Sequence, residues 1–417
     1  MLNKKYFVKE LCNFYIDKNT VYISNKYSGD WFKIPKEIFD LLIISQKEEK
    51  HIDKLYDFIL DENDKNYFSQ IVERLDMINV LYPTPKFNID RKTIPKVVIS
   101  LTNRCNLKCN YCCVDSKIEN NKDLTFDEIK NILDKVVKFS PRKIVLSGGE
   151  PMLRSDFFEI LKYLDSIYDG KIQLSTNATL INANNIDHLL KYIFAFDISL
   201  DGYDEMSCTK ARGKGIFNHV NEVIKNMQDK GCKNISVSMV VGKHNVSEID
   251  KFKDFCDSIS VNPMIKLFSN IGRGNSCTEV YLDDTNDIKY YFDPSYFLEN
   301  NKFVKANTCR AGENQIFVNY DGNIYPCPLL QSKDYLICNI NELDEKIIDN
   351  IFNCNYKVLK KIDKIRTLNY EKCTDCKYSI FCNNCLSAMD LMTKDEKVFI
   401  HNCNKLKKIN AIEYSCI

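Results

Sequence analysis

The chain has almost no net charge: Lys and Arg together number 58 against 57 for Asp and Glu, a balance of +1. No global field therefore draws it to nucleic acid or to an anionic membrane. Apolar runs long enough to span a bilayer are missing, and the start, MLNKKYFVKE, leads into no apolar segment with a small-residue cleavage site. The expectation is a cytoplasmic protein with neither membrane nor nucleic acid among its partners. Histidine is scarce as well, at 5 residues, and none stands beside the densest group of cysteines.

What the chain does have is 417 residues, enough for two or three domains, and 19 cysteines. In a reducing compartment clustered thiols hold metal or do redox chemistry more readily than they form disulfides. Residues 1–88 read as a small α+β unit: β-prone FYID, TVYIS and DWFKI, then helical KEIFDLLIIS, EKHIDKLYDFIL and DKNYFSQIVERLDMINVL. Pro83 and Pro85 in YPTPKF mark a linker.

Strands and helices alternate over residues 95–272, with strands expected at KVVISL, KIVLSG, KIQLST, AFDISL, NISVSMVV and PMIKLF. Thr125 with Glu128 makes a capping box before one helix, and Ser247 with Asp250 has the related form. Six β-α units predict an α/β fold with a parallel sheet curved as a partial, TIM-like (β/α)6 barrel. Chemistry then belongs at the C-terminal strand ends, where Cys105, Gly148, Ser175 and Ser199 fall. Residues 300–417 are poor in long apolar runs but hold Cys309, Cys327, Cys373, Cys376, Cys382, Cys385 and Cys403. Such a region is expected to be held by metal rather than by a core.

The segment SLTNRCNLKCNYCCVDS carries Cys105, Cys109 and Cys112 at C-x3-C-x2-C. Three thiolates on one loop can grip three corners of a [4Fe-4S] cube and leave the fourth iron open for chemistry. A zinc site is the alternative, but it wants four tetrahedral protein ligands, and no nearby histidine completes the set. Cys113, adjacent to Cys112, is badly placed for the same metal and reads as packing.

CNLKCNYC, with Tyr111 before the third cysteine, followed by LSGGEP, resembles the radical S-adenosylmethionine (SAM) enzymes across the whole barrel. The resemblance implies that the open iron binds S-adenosyl-L-methionine. An electron from the cluster then yields a 5′-deoxyadenosyl radical that takes hydrogen from an unactivated C–H. Cys105, Cys109 and Cys112 are the implied catalytic cluster ligands. Gly148, Gly149 and Glu150 are implied to meet the methionyl amino group, and a glycine lets a ligand approach the backbone. DISLDGYDEMSCTKARGKG is similar to the family segment in which a serine touches the ribose and an arginine the cofactor carboxylate, here Ser199 and Arg212. For Ser199 a backbone-satisfied strand-end hydroxyl is the alternative.

The C-terminal cysteines, with Gly322 between Cys309 and Cys327, resemble the seven-cysteine SPASM extension with its two auxiliary iron-sulfur clusters. By resemblance, Cys309, Cys327 and Cys385 ligate the first, and Cys373, Cys376, Cys382 and Cys403 the second. A fourth ligand of the first is left open among Cys338, Cys354 and a substrate thiolate. The last pair departs from the family's usual spacing, and a zinc ribbon is the alternative. Cys12, Cys232 and Cys256 read as small apolar fillers, while Cys208 and Cys277 flank the expected barrel mouth.

Residues 1–88 resemble the winged-helix-like element by which maturases of ribosomally made peptides recognise a leader, taken up as an added strand. Together these likenesses imply a maturase of a Cys-rich precursor peptide, forming a sulfur-to-carbon thioether, with flavodoxin or ferredoxin as electron donor. A formylglycine-generating enzyme of the anaerobic sulfatase-maturase type and a non-enzymatic zinc adaptor are the alternatives.

Overall fold

A computed structural model describes residues 4–85, 93–118, 123–281, 306, 309–382 and 385–414, with side chains at 405, 406 and 408–414 left undescribed. The chain divides into two compact units, one of residues 1–90, 294–310 and 362–417 and one of residues 91–293 and 311–361. The expected boundary near residue 88 falls outside the described residues. The segment 300–417, expected as a single domain, is shared between the two units.

The first unit opens with β1 (Tyr6–Phe7), β2 (Cys12–Asp17), β3 (Thr20–Asn25) and β4 (Trp31–Pro35), followed by α1 (Lys36–Lys47), α2 (Glu62–Met77) and β5 (Leu81–Tyr82). β2, β3 and β4 form an antiparallel sheet with β3 in the centre, and β1 pairs with β5. Period-2 alternation buries Val21, Ile23 and Ile34 against Phe39, Leu42, Phe68 and Leu75 of the helices. The stretch expected as a middle helix is a 3-10 turn over Ile52–Phe58, because only Ile52 and Leu55 are buried there and its apolar stripe is one turn long.

The second unit holds six parallel strands, each where the hydrophobic pattern places one: β6 (Lys96–Ser100), β7 (Lys143–Ser147), β8 (Lys171–Thr176), β9 (Ala195–Ser199), β10 (Ile235–Val241) and β11 (Asn262–Leu267). The connecting helices are α3 (Phe126–Val137), α4 (Phe157–Ile167), α5 (Ile186–Tyr192), α6 (Glu205–Arg212), α7 (Ile216–Asp229) and α8 (Ile249–Ser258), with α9 (Thr278–Tyr281) after β11. Both bonds of the Thr125 capping box form. Ser247 caps nothing: a 3-10 turn over Val246–Glu248 leads into α8, and Asn245 anchors it by accepting from the Gly242 N–H at 2.9 Å.

Residues 311–361 add strands to this sheet. β12 (Gln315–Val318) lies parallel to β6, then β13 (Asn323–Tyr325) and β14 (Cys338–Asn339) follow antiparallel, giving the order β11-β10-β9-β8-β7-β6-β12-β13-β14. Ile316 and Val318 are fully buried, so this part of the Cys-rich region has an apolar core, contrary to the expectation that metal alone holds it. α10 (Glu345–Phe352) and α11 (Lys357–Ile365) come next, then α12 (Leu386–Met392) and α13 (Glu396–Tyr414) in the first unit. There Trp31 meets Phe381 edge-on at 4.6 Å between ring centroids, and Tyr22 meets it at 6.2 Å. Among the described residues no helix is long and apolar enough to cross a membrane.

Candidate active site

The cysteine loop leaves the C-terminal end of β6 and is laced to the loop after β7 through backbone. The Gly149 N–H donates to Thr102 O and the Glu150 N–H to Arg104 O, each at 2.8 Å. Gly148 has φ +142°, in the region that favours glycine, and a Cβ there would stand 2.4 Å from Thr102 O. At Gly149 a Cβ would stand 2.1 Å from Arg104 O. These glycines are therefore required by the approach of two protein backbones, a stronger constraint than the ligand approach expected from sequence. Gly149→Ala should cost about 1–3 kcal/mol of stability through overpacking, read from the urea midpoint, and should lower the iron retained on reconstitution.

The Glu150 side chain is wholly buried and committed to protein donors: Thr176 Oγ1 at 2.9 Å, the Asn177 N–H at 2.8 Å and the Met152 N–H at 3.2 Å. Burial raises its pKa, and these bonds oppose the rise. Its carboxylate ties the end of β7 to the end of β8.

Two of the three loop sulfurs accept N–H bonds. Cys105 Sγ accepts from the Leu107 N–H at 3.4 Å and from the Asn177 side-chain amide at 3.8 Å, and Cys112 Sγ from the Ser116 N–H at 3.5 Å. Such donors stabilise thiolate charge and are among the levers that set a cluster's potential. Without metal, burial pushes the Cys105 thiol up to about 11, opposed by the Leu107 N–H, and burial raises Cys109, opposed by Arg212. In the iron-free protein, iodoacetamide should therefore label Cys105 slowly at pH 8. Its rate should climb about tenfold per pH unit toward pH 11, because the thiolate is the nucleophile; peptide mass spectrometry reads this directly.

Behind the loop lies a buried network. Asp201, at φ +63°, accepts from Tyr111 OH, Arg212 Nε and the Val240 N–H. Arg212 Nη2 also donates to Tyr111 OH at 2.8 Å. The side chains of Arg212 and Asp201 are 8% and 1% exposed, so Arg212, expected to serve a cofactor carboxylate, already spends Nε and Nη2 on protein partners. Ser199 ends β9 and meets Ser238 Oγ at 3.4 Å.

Arg273 is a site residue that sequence reasoning missed. Its Nε donates to Cys109 O at 2.8 Å, and its Nη1 to Ser116 O at 3.0 Å and Asp115 Oδ1 at 3.1 Å. Gly272, at φ +58°, lets this segment pass Cys113 O, which a Cβ would meet at 2.4 Å. The signal was the Gly-Arg-Gly run just after the last strand. Asp201 was missed too, although Asp-Gly after a strand end marks a tight turn. The Cys113 thiol is pushed up to about 11 by burial. Cys208 Sγ donates to Leu200 O at 3.0 Å and Cys277 Sγ to Asn110 O at 3.3 Å.

In the first unit, Cys373, Cys376, Cys382 and Cys403 line one cavity with Met389, Met392 and Phe399. Burial raises the thiols of Cys382, Cys373 (to about 11) and Cys403. Four convergent sulfurs in an apolar wall fit an iron-sulfur cluster. Cys309 and Cys385 belong to the same unit, and Cys327, Cys338 and Cys354 to the other. The two asparagines between Cys382 and Cys385 lie outside the described residues. Among the described residues no three His, Cys, Asp or Glu converge on a single-ion site.

A parallel β-α sheet with three thiols on the loop after its first strand, and a separate four-thiol cavity, define a class that comparison makes explicit. Residues 99–256 match the radical SAM superfamily, and residues 309–377 match the SPASM iron-sulfur cluster-binding domain. Residues 99–256 thus belong to the radical SAM superfamily and residues 309–377 to the SPASM domain; the chain is an enzyme whose cofactors are S-adenosylmethionine and [4Fe-4S] clusters. This membership sets aside the zinc adaptor.

Among its relatives is the mycofactocin maturase MftC of Mycolicibacterium smegmatis, 25% identical over 258 residues that cover 58% of this chain and 66% of that protein. A probable GTP 3′,8-cyclase of Methanocella arvoryzae is 34% identical over 166 residues, 39% of this chain and 53% of that one. The chain thus spans about two thirds or less of these curated relatives. Streptococcus suis SuiB, in its crystal structure with the precursor peptide SuiA, shares the fold at TM-score 0.52 and 18% identity, over 93% of this chain and 97% of that one.

Proposed function

We propose that this enzyme matures a ribosomally made, Cys-rich precursor peptide, joining a cysteine sulfur to a carbon of the same peptide. The observation that carries the reading is the coexistence of a three-cysteine loop at the barrel's strand ends with a cavity lined by four further thiols. The likeness to a mycofactocin maturase and to a fold crystallised with its precursor peptide supports it. Cys105, Cys109 and Cys112 would hold the catalytic cluster, which together with S-adenosylmethionine supplies a hydrogen-abstracting 5′-deoxyadenosyl radical. Cys373, Cys376, Cys382 and Cys403 would hold an auxiliary cluster, a group able to accept the one electron left when the C–H and S–H bonds give way to C–S, while the thiol proton passes to solvent.

The chain's own residues orient and shield. With the Glu150 carboxylate occupied, the carbonyls of Gly148 and Gly149 would accept from the cofactor's ammonium group. Tyr111 would wall the site. Arg212, fixed by Asp201, would offer its remaining Nη1 edge to the cofactor carboxylate, and Ser199 would meet the ribose. β2 and β4 are the edge strands of the first unit's sheet, and one of them would take a leader peptide as an additional strand. A flavodoxin or ferredoxin would deliver the electron.

Anaerobically reconstituted enzyme, given S-adenosylmethionine, reductant and a short Cys-rich precursor peptide, should release 5′-deoxyadenosine and a peptide lighter by two hydrogens. A product that instead traps hydrazines is an aldehyde and would favour the formylglycine reading. No peptide-dependent cleavage at all would count against both.

A further inference from the structure

Strands β7 to β10 carry apolar residues on one side: Ile144, Leu146, Leu174, Phe196, Ile198 and Val237 are almost wholly buried. The opposite face is polar at one level. Ser100 pairs with Ser147, Ser175 with Asp197, and Asp197 with Ser236, so a row of serines crosses the sheet with one carboxylate among them.

Asp197 has only 6% of its surface exposed. Its Oδ2 accepts from Lys266 Nζ at 2.8 Å and from Ser175 Oγ at 3.4 Å, while its Oδ1 is buried with no partner. A buried carboxylate oxygen left without a donor costs about 1–3 kcal/mol, which is a demand for an N–H or O–H from outside the described chain. Lys266, on β11, donates to Asp197 and at 3.1 Å to Ser238 Oγ. An ammonium group has three protons, so one remains. Its side chain is 37% exposed, within reach of solvent or a ligand. The cluster adjoins Ser199, at the strand end assigned above to the cofactor ribose, through Ser238.

We infer that Asp197 and Lys266 form a substrate-anchoring subsite for one extended residue of a peptide, Asp197 Oδ1 accepting its N–H and Lys266 Nζ donating to its carbonyl oxygen. The two charges already neutralise one another, so a further charged group would leave one of them uncompensated in a low-dielectric site, whereas a neutral amide satisfies both. In an extended chain the N–H and C=O of one residue point to the same side, as they do toward a neighbouring strand. A ligand with a donor and an acceptor on one edge is what this pair lacks. Ser175 Oγ donates to Asp197, and Ser238 Oγ accepts from Lys266, so both side chains are held in place.

The inference rests on the maturase reading, and the experiment separates the two. Reconstituted enzyme is given S-adenosylmethionine, dithionite and a short Cys-rich precursor peptide, and the ratio of peptide-dependent to peptide-free 5′-deoxyadenosine formation is measured with the peptide KM. Asp197→Ala and Lys266→Met should each lower the ratio about tenfold or more through KM, the loss expected of one hydrogen bond to a charged group. Lys266→Arg, which keeps N–H donors, should recover most of it. Iron content identifies a variant that has failed to fold, and the other then decides. Unchanged ratios in the folded variants would overturn the subsite. Should wild-type enzyme convert no peptide, the maturase reading fails, and N-acetylglycine methylamide becomes the probe. Its saturation-transfer NMR signal should fall in Lys266→Met if the subsite is real, and an equal signal in both proteins means that only water satisfies Asp197.

Discussion

Cys109→Ala should abolish reductive cleavage of S-adenosylmethionine, with 5′-deoxyadenosine falling to the no-enzyme level and about four irons lost per chain. Three thiolates are the fewest that can fix a cube while leaving one iron open, so removing one leaves a two-point grip. Cys109 is also the most enclosed of the three, at 9% exposure, and its carbonyl is held by Arg273, so water is poorly placed to substitute for its sulfur. The same loss is expected of Cys105→Ala and Cys112→Ala. Cys382→Ala, which removes a thiol from the separate cavity, should leave partial, uncoupled cleavage. Iron analysis, the cluster's visible absorption and chromatographic assay of 5′-deoxyadenosine check each outcome. Full activity in the Cys109 variant would show that the loop holds no catalytic cluster.

Asp201→Ala should be the most damaging change that touches no cysteine. Asp201 is the anionic partner of the buried Arg212, and it also accepts from Tyr111 and from the Val240 N–H. Deleting one partner of a buried ion pair leaves the other charge uncompensated, a loss of about 3–5 kcal/mol. Arg212→Leu together with Asp201→Leu should be less harmful to stability than Asp201→Ala alone, since the double change removes both charges. Equilibrium urea unfolding of the apoprotein measures the stability term, and isothermal titration of reconstituted protein with S-adenosylmethionine measures the site. If Arg212 serves the cofactor carboxylate, the double variant regains stability but not affinity.

Much of the barrel could be read in advance because its strands are short apolar runs at regular intervals, and each of the six fell where β-branched residues concentrate. The cysteine loop was legible for a different reason: spacing within a few residues survives folding unchanged. Arg273 and Asp201 were not legible, because their meaning lies in contacts with residues 39, 90 and 164 positions away that no local pattern encodes. The glycines of the GGE segment were singled out, but their constraint depends on Thr102 and Arg104 arriving from another strand end. β12 was overlooked because cysteines dominate its surroundings, and a four-residue strand carries too little alternation to stand out.

The pairing of β12 with β6 has a consequence for how the protein is made. β6 delivers the cysteine loop, yet its neighbour on one side is encoded more than two hundred residues later, with Gln315 opposite Lys96 and Val318 opposite Ile99. During synthesis, β6 therefore waits with one hydrogen-bonding edge bare while the rest of the parallel sheet assembles, the condition under which nascent strands recruit the wrong partner. Iron delivered to a chain still on the ribosome would meet a loop whose supporting strand is unfinished. Cluster insertion is best timed after release, and a chain cut before residue 315 should aggregate rather than persist as a smaller enzyme.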